Sequence, residues 1–278
     1  FENSFTPKES EFKICSKTAK ANMTIVAEAM LGYKLPSNIL MIGTGGRYEY
    51  KNKGIDVFLD SLALINKNPL PEKQILAWIM VPAGHSGPDR ELINKLNYGG
   101  NYRCNTTHNL VDREWDPIIK RVSELGIDNS ESSRVKVIFV PSYLNGSDGI
   151  FNMTYYQLIC GLDLTLFPSY YEPWGYTPLE SLAFGVPTVT TTLAGFGLWI
   201  NKYYKQENVS ALVVNRNDDN YDCVVKDIAQ EIENRCNLDK KQRDFARENA
   251  KNISKIALWD NQIGYYKMAY SEALRRID

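Results

Sequence analysis

The sequence has little of what several classes of protein require. Its five cysteines are scattered without a Cys-x-x-Cys pair, and its two histidines, His85 and His108, have no cysteine or histidine at metal-ligand spacing. A disulfide framework and a zinc site are therefore poorly supported. Gly-x-Ser-x-Gly and His-Glu-x-x-His motifs do not occur, so nothing indicates a serine hydrolase or a zinc protease.

The chain also lacks an excess of charge and a long apolar run. Lys and Arg number 32 against 33 Asp and Glu, which leaves a net charge of −1. Proteins that bind polyanions through bulk attraction carry a basic excess, and a membrane span needs ~20 apolar residues. We expect neither nucleic acid nor membrane as a partner. Scattered cysteines favour a reducing cytoplasm, and a first residue other than methionine suggests a piece of a longer protein.

The sequence does contain short apolar runs, and these alternate with segments in which the apolar residues have the spacing of a helix. The predicted strands are residues 39–43, 75–81, 135–140, 162–167 and 187–191. The predicted helices are residues 19–31, 55–65, 115–125, 155–160, 178–184, 221–234, 240–250 and 256–275. This order predicts an α/β fold, a Rossmann-like parallel sheet with helices on both faces, whose ligands bind at the carboxyl ends of the strands. We expect a single domain over residues 1–278, with a variable insertion at 82–117 and C-terminal helices at 221–278.

The most informative stretch is FPSYYEPWGYTPLE at residues 167–180. It leaves a strand, crosses a loop that holds Glu172, and enters a helix. Four aromatic residues surround Glu172 in the sequence: Tyr170, Tyr171, Trp174 and Tyr176. Aromatic rings beside a carboxylate suit a sugar, and the N–H groups of a helix N-terminus suit a phosphate. Thr177 and Glu180 also match a capping box, which predicts Thr177 as the N-cap and offers a purely structural explanation for Glu180.

A second stretch, GTGGRYEYKNKG at residues 43–54, follows a predicted strand. Its glycines allow close approach of the backbone to a ligand, but they match neither the dinucleotide fingerprint nor a P-loop. Arg47 and Lys53 lie at the strand's end and at the start of the next helix, where both could reach a diphosphate. The alternative is that Arg47, Lys51 and Lys53 form a solvated loop surface. Residues 190–197 are interpreted as a strand that runs into a glycine-rich turn.

Glu172 and Glu180, separated by seven residues, form an E-x7-E motif. Together with residues 46–54, 107–112, 134–136, 170–178 and 195–197, this motif resembles glycogen synthases of the fungal and animal type, which are retaining GT-B glycosyltransferases. The resemblance covers most of residues 39–275 and concerns the C-terminal, donor-nucleotide half of that architecture. It implies that the N-terminal acceptor domain is absent here and that the isolated chain is inactive.

By this resemblance, three residues are catalytic. Arg47 and Lys53 hold the donor diphosphate, and Glu172 lies beside the transferred glucose. The other donor contacts that the resemblance implies are Glu180 at the ribose hydroxyls, Tyr155 on the uracil ring, Tyr143 and Leu144 at the edge of the base, and Trp174, Gly175, Tyr176 and Thr177 around the sugar and the distal phosphate. The resemblance implies no metal and no cofactor besides UDP-glucose as substrate.

The function that the resemblance implies is a hexosyltransferase. It would bind UDP-glucose and transfer glucose to the non-reducing end of an α-1,4-glucan such as glycogen, by front-face return rather than through a covalent glycosyl-enzyme. Two alternatives stay open: an ADP-glucose-using or sucrose-synthase-like GT-B transferase, and a nucleotide or carbohydrate binding module without catalysis. The stretch between Val81 and Thr107 is shorter than the insertion through which fungal and animal enzymes tetramerise, so a homo-oligomer is also left open.

Overall fold

A computed structural model describes residues 6–68, 73–100, 102–204 and 208–276 of the chain. Its centre is a parallel sheet of six strands, and a small antiparallel pair lies apart from it. The six strands are β1 (Leu40–Gly45), β2 (Ile75–Met80), β5 (Val135–Phe139), β6 (Leu164–Leu166), β7 (Thr188–Thr191) and β8 (Ala211–Val214), and the small pair is β3 (His85–Pro88) with β4 (His108–Leu110). The predicted Rossmann-like α/β class is therefore confirmed.

Ten α-helices occur within these described residues. They are α1 (Phe12–Leu31), α2 (Ile55–Asn66), α3 (Arg90–Tyr98), α4 (Pro117–Glu124), α5 (Tyr155–Ile159), α6 (Tyr176–Ala183), α7 (Gly195–Tyr203), α8 (Tyr221–Asn237), α9 (Lys240–Ile256) and α10 (Trp259–Arg275). The sequence did not predict β8 or α7, and the predicted loop insertion contains β3, α3 and β4. The last predicted helix begins at Trp259 rather than at residue 256, because α9 continues to Ile256. The division into one domain with a variable insertion stays a prediction.

The order of the strands creates a crevice in the middle of the sheet. The order is β5-β2-β1-β6-β7-β8, with β1 paired to β2 on one side and to β6 on the other. The chain therefore winds outward from β1 through β2 to β5, returns to β6, and winds outward in the opposite direction. The strand order reverses between β1 and β6, and parallel α/β sheets bind ligands beyond the carboxyl ends of the strands at such a reversal.

The two faces of the sheet carry separate apolar clusters because successive side chains of a strand point to opposite faces. In β2, Ala77 and Ile79 pack with α2, α4 and α8, whereas Trp78 packs with α1 and α5. Both β1 and β2 are buried along their whole length. A third cluster joins α6, α7 and α9. Burial on both faces explains why these strands appear in the sequence as continuous apolar runs.

One carboxylate joins three distant parts of the fold. Asp163, just before β6, accepts hydrogen bonds from the Lys20 ammonium at 2.8 Å and from the Met41 amide at 2.9 Å, and it pairs with Arg247 at 3.4 Å. Burial acts to raise the pKa of Asp163, but the charges of Lys20 and Arg247 and the two hydrogen bonds outweigh it and hold the pKa below its ordinary value. Asp163 thus ties α1 and α9 to the centre of the sheet.

We expect Asp163→Asn to lower the free energy of unfolding by about 2 kcal/mol at pH 7, because it leaves two partly buried cations without their counter-charge. A carboxyl group with a depressed folded-state pKa contributes stability above its unfolded pKa of about 4, and that contribution is lost as the pH falls through the folded-state pKa. Urea unfolding should therefore show a smaller difference between the variant and the parent at about pH 2.5 than at pH 7. Asp244→Asn, at an exposed position of α9, is the control. Equal stability of Asp163→Asn and the parent at pH 7 would contradict this role.

Three further predictions concern membranes, metals and cysteines. Among the described residues, no helix has the length and apolar character to cross a bilayer. In the same ranges, no group of three or more His, Cys, Asp or Glu side chains could hold a metal ion, and the expectation that the protein needs none stays a prediction. All five cysteines lie in the described ranges and are free thiols.

Candidate functional site

The crevice is bordered by the loop after β1, residues 46–54, and the loop after β6, residues 167–175. These are the two stretches that the sequence singled out. Because β1 and β6 are adjacent parallel strands, both loops leave the same edge of the sheet side by side. Residues more than a hundred positions apart in the sequence therefore meet at this edge.

The Lys53 ammonium forms an ion pair with the Glu172 carboxylate across the crevice. The two side chains are only 17% and 21% exposed, so the interaction between their charges is stronger than it would be in water. An ammonium has three N–H donors, and Glu172 accepts from one of them. The structure therefore brings together a cation predicted to bind the diphosphate of the donor and a carboxylate predicted to lie beside its sugar.

The two loops touch through their backbones as well. Gly54 has a φ of +69°, and a Cβ at this position would lie 2.0 Å from the carbonyl oxygen of Pro168. Only glycine fits here, because it tolerates the left-handed conformation and lacks the atom that would clash. The Tyr170 amide donates to the Asn52 carbonyl at 2.8 Å. These contacts fix Lys53, which lies between Asn52 and Gly54, relative to the loop that carries Glu172.

A third loop, after β7, holds the backbone of Glu172. The Glu172 amide donates to the Leu193 carbonyl at 3.2 Å, and the Gly195 amide donates to the Glu172 carbonyl at 3.1 Å. The Thr191 hydroxyl donates to the Ser169 carbonyl at 2.8 Å. Both the amide and the carbonyl of Glu172 are thereby hydrogen-bonded to the loop after β7, and its side chain extends toward Lys53.

Arg47 lies in the same loop as Lys53 but has a different partner. Its guanidinium pairs with the Glu49 carboxylate at 3.0 Å, and its side chain is 76% exposed. Glu49 in turn accepts a hydrogen bond from the side chain of Asn52 at 2.5 Å. The described contacts thus bring Lys53 and Glu172 together and leave Arg47 at the rim, and the catalytic assignment of all three residues stays a prediction.

The predicted capping box at the start of α6 is wrong. Gly175, with a φ of +105°, occupies the N-cap, no side chain caps the helix, and Thr177 is its second residue. The left-handed conformation of Gly175 lets the chain enter the helix two residues earlier than the capping pattern predicts. The uncapped first turn keeps N–H groups that suit an anion.

Glu180 is held by a neighbouring tyrosine instead. Its carboxylate accepts a hydrogen bond from the Tyr156 hydroxyl at 2.9 Å, and the Tyr156 ring stacks on Phe184 with centroids 5.2 Å apart. Burial raises the pKa of Glu180, and the Tyr156 hydrogen bond opposes that shift. A positioned, half-buried carboxylate is an appropriate acceptor for sugar hydroxyls, and the ribose contact stays a prediction.

The residues predicted at the base lie at the start of α5 and in the segment before it. The Tyr155 ring, at the start of α5, covers Gly45 at the end of β1, and its hydroxyl is buried without a hydrogen-bond partner in the described structure. The Leu144 carbonyl accepts from the Tyr155 amide at 2.8 Å, and the Tyr143 side chain is exposed. These three residues are adjacent, although their contacts with a base stay predictions.

The aromatic residues around Glu172 divide into two groups. Trp174 packs edge-on against Phe196 and Trp199, with centroids 5.6 and 5.8 Å away, so its ring belongs to the cluster under α7. Tyr171 and Tyr176 are exposed and could contact a ligand. The sequence missed Arg216, which is buried beside the loop of Glu172. A basic residue two positions after a strand could have indicated it, but that strand, β8, was not recognised.

The sequence of this chain matches a known protein family. The family model described as "Glycogen synthase" matches residues 100–278, which is more than half of the chain. The chain belongs to the glycogen synthase family. The resemblance found in the sequence is thereby confirmed.

Curated glycogen synthase relatives are longer than this family member. Glycogen [starch] synthase isoform 1 of Saccharomyces cerevisiae is 28% identical over an alignment of 306 residues, gaps included, that spans 86% of this chain and 43% of the yeast protein. The liver glycogen [starch] synthase of Mus musculus is 27% identical over an alignment of 292 residues, gaps included, that spans 85% of this chain and 42% of the mouse protein. The chain therefore spans less than half the length of these relatives.

Solved structures of GT-B glycosyltransferases share the fold of this glycogen synthase family member. Anabaena HepE in complex with UDP superposes with a TM-score of 0.52 at 17% identity, covering 98% of this chain and 55% of HepE. The catalytic domain of starch synthase IV from Arabidopsis thaliana, bound to ADP and acarbose, gives a TM-score of 0.52 at 12% identity, with 99% and 46% coverage. At these identities the likeness concerns the fold, and it confirms the predicted GT-B class.

Proposed function

We propose that this chain is the donor-binding part of a retaining glucosyltransferase, which binds UDP-glucose and transfers glucose to the non-reducing end of an α-1,4-glucan when joined to an acceptor-binding domain. The proposal depends chiefly on one observation, the Lys53–Glu172 ion pair between the loops that follow the two middle strands of the sheet. It places one positive and one negative group at the point where parallel α/β folds bind nucleotides. Family membership and the GT-B fold support the reaction class.

The proposed chemistry must stabilise negative charge that grows on the departing UDP. The bond between C1 of glucose and the β-phosphate oxygen breaks, and its electron pair goes to UDP. A new bond forms between C1 and the 4-hydroxyl oxygen of the acceptor, whose proton passes to the departing phosphate. Lys53, Arg47 and the uncapped N-terminus of α6 would stabilise the phosphate charge, and Glu172 would stabilise positive character at C1. This arrangement requires no metal ion.

Calorimetric titration with UDP and with ADP tests the proposal. We expect UDP to bind at one site with an affinity at least about 10-fold higher than that of ADP, since the proposal assigns uridine as the base. EDTA should leave both the affinity and the rate of glucose transfer to glycogen unchanged. Tighter binding of ADP would favour the ADP-glucose alternative. Failure to bind either nucleotide would contradict the proposed function.

The rest of the protein decides between a transferase and a binding module. Transfer of glucose by the full-length protein supports the transferase, whereas UDP binding without transfer by that protein supports the module. We propose the cytoplasm as the compartment, which the five free thiols support. The proposed partners are a nucleotide sugar and an α-glucan, with neither nucleic acid nor membrane. The oligomeric state is left to a direct measurement of mass in solution.

A further inference from the structure

Arg216 is a buried cation at the edge of the sheet where the crevice opens. It lies two residues after the end of β8, yet its exposure is only 6%. Its guanidinium donates to the carbonyl of Pro168, which begins the loop that carries Glu172. Burying a charge is costly unless the surroundings bond it, so this arginine is held in a defined place by specific contacts.

The Pro168 carbonyl is also the point where the two crevice loops touch. The same oxygen faces Gly54, whose missing Cβ leaves the space for it. Two residues further on, the Tyr170 amide bonds the Asn52 carbonyl at 2.8 Å. A displacement of this carbonyl would therefore move the segment that holds Lys53 together with the segment that holds Glu172.

Arg216 holds the loop through its flat face as well. The Tyr170 ring lies on the guanidinium, with 5.3 Å between Cζ and the ring centroid, and the Tyr170 hydroxyl donates to the Asp218 carboxylate. The Arg216 amide donates to the Thr192 hydroxyl at 3.1 Å, which anchors this segment to the loop after β7. Arginine suits this position because a guanidinium donates in its plane and stacks through its face.

We propose that Arg216 is a positioning residue that fixes the spacing between Lys53 and Glu172. It does so through its hydrogen bond to the Pro168 carbonyl and its stacking on the Tyr170 ring, two contacts that are together called the clasp. Its significance for glucose transfer depends on the proposed function, but the clasp itself does not. Misplacement of a catalytic group by about 1 Å can cost about 100-fold in rate. Loss of the clasp is therefore expected to lower kcat more than it raises KM, because it disturbs the geometry of the reacting groups.

Arg235 provides a matched control at the other end of the same strand. It is 8% exposed, and its guanidinium donates to a backbone carbonyl, that of Val209, at 2.6 Å. Val209 precedes β8, whereas Arg216 follows it. Replacing either arginine with methionine removes a buried cation and a bond to a carbonyl, but only one of the two substitutions affects the crevice.

Amide hydrogen exchange in the full-length protein tests the clasp without any ligand. We expect Arg216→Met to speed exchange at the Tyr170 and Glu172 amides by about 10-fold or more. Without the arginine, the loop can open without the free-energy cost of breaking its contacts with Pro168 and Tyr170. Arg235→Met should leave these two amides unchanged. Arg216→Lys, which keeps the charge but not the planar stack, should give an intermediate rate and keeps the test valid if the methionine variant does not fold. Unchanged exchange at Tyr170 in Arg216→Lys and Arg216→Met would overturn the proposal.

Steady-state kinetics then connect the clasp to the reaction. We expect kcat to fall by about 100-fold in Arg216→Met and by less in Arg216→Lys, with a smaller change in KM for the donor. A parent protein that binds no nucleotide would refute the proposed function. The exchange experiment needs no ligand and would still test whether Arg216 holds the loop. Faster exchange with an unchanged kcat would overturn the positioning role.

Discussion

Replacing Lys53 with alanine is expected to lower kcat for glucose transfer by about 100- to 1,000-fold in the full-length protein, or about 3–4 kcal/mol of transition-state stabilisation. The Lys53 side chain is only 17% exposed and its ammonium is held by Glu172, so the charge acts from a fixed position in surroundings that screen it weakly. Charge on the departing phosphate develops in the transition state, so the loss should appear chiefly in kcat. Initial rates at saturating UDP-glucose measure it.

Lys51→Ala is the matched control for this experiment. Lys51 lies in the same loop but is exposed, so its removal should leave kcat within about 2-fold of the parent if only the contacting cation matters. Arg47→Ala is a useful comparison, since Arg47 pairs with Glu49 and is exposed at the rim of the crevice. A Lys53→Ala protein with the parent's catalytic efficiency would remove Lys53 from the proposed mechanism.

Gly54→Ala is expected to lower the free energy of unfolding by about 3 kcal/mol and to abolish measurable UDP binding. A side chain at φ +69° costs about 1–2 kcal/mol, and the added Cβ would meet a backbone oxygen at 2.0 Å. Forcing an extra carbon into a packed site costs a further amount of about 1–3 kcal/mol. Because the clash is with Pro168, relief of the strain must separate the two crevice loops. Urea unfolding and calorimetry with UDP measure the two effects.

Gly84→Ala is the control for the loss of a loop glycine. A Cβ at Gly84 would meet no atom within 4 Å, and this residue does not have a positive φ. Its replacement should change stability by less than about 0.5 kcal/mol and should leave UDP affinity intact. Equal effects of the two substitutions would show that the contact between Gly54 and Pro168 does not organise the crevice.

The fold class followed from the sequence because its central strands are buried on both faces. Runs such as residues 75–81 are continuous and apolar, and helical segments separate them, which is the pattern of a parallel sheet. Of the elements that were missed, helix α7 has a weak local signal, because it begins with Gly-Phe-Gly and glycine is a poor helix former. Strand β8 is as long as β7, so its length does not explain why it was missed. Tertiary packing against the third cluster stabilises both elements.

The candidate site was only partly predictable, because contacts between residues far apart in the sequence determine its geometry. The sequence indicated that Lys53 and Glu172 follow strands, but the pairing of β1 with β6 is a property of the assembled sheet. Local rules failed where a long-range contact took precedence. Thr177 matched a capping pattern, yet Gly175 caps the helix and Tyr156 binds Glu180. The Trp174 ring packs on Phe196, and its contact with a sugar stays a prediction.

The partners of the two cations also determine how a dianionic ligand would approach this surface. A lone ammonium projects an attractive field over a Debye length of about 10 Å at 0.1 M salt. Lys53 and Arg47 each lie beside a glutamate, so each forms a dipole whose field falls off within a few ångströms. These two cations therefore contribute little to long-range steering of an anion. The positive charges become effective only at contact, when a ligand displaces or shares the carboxylates.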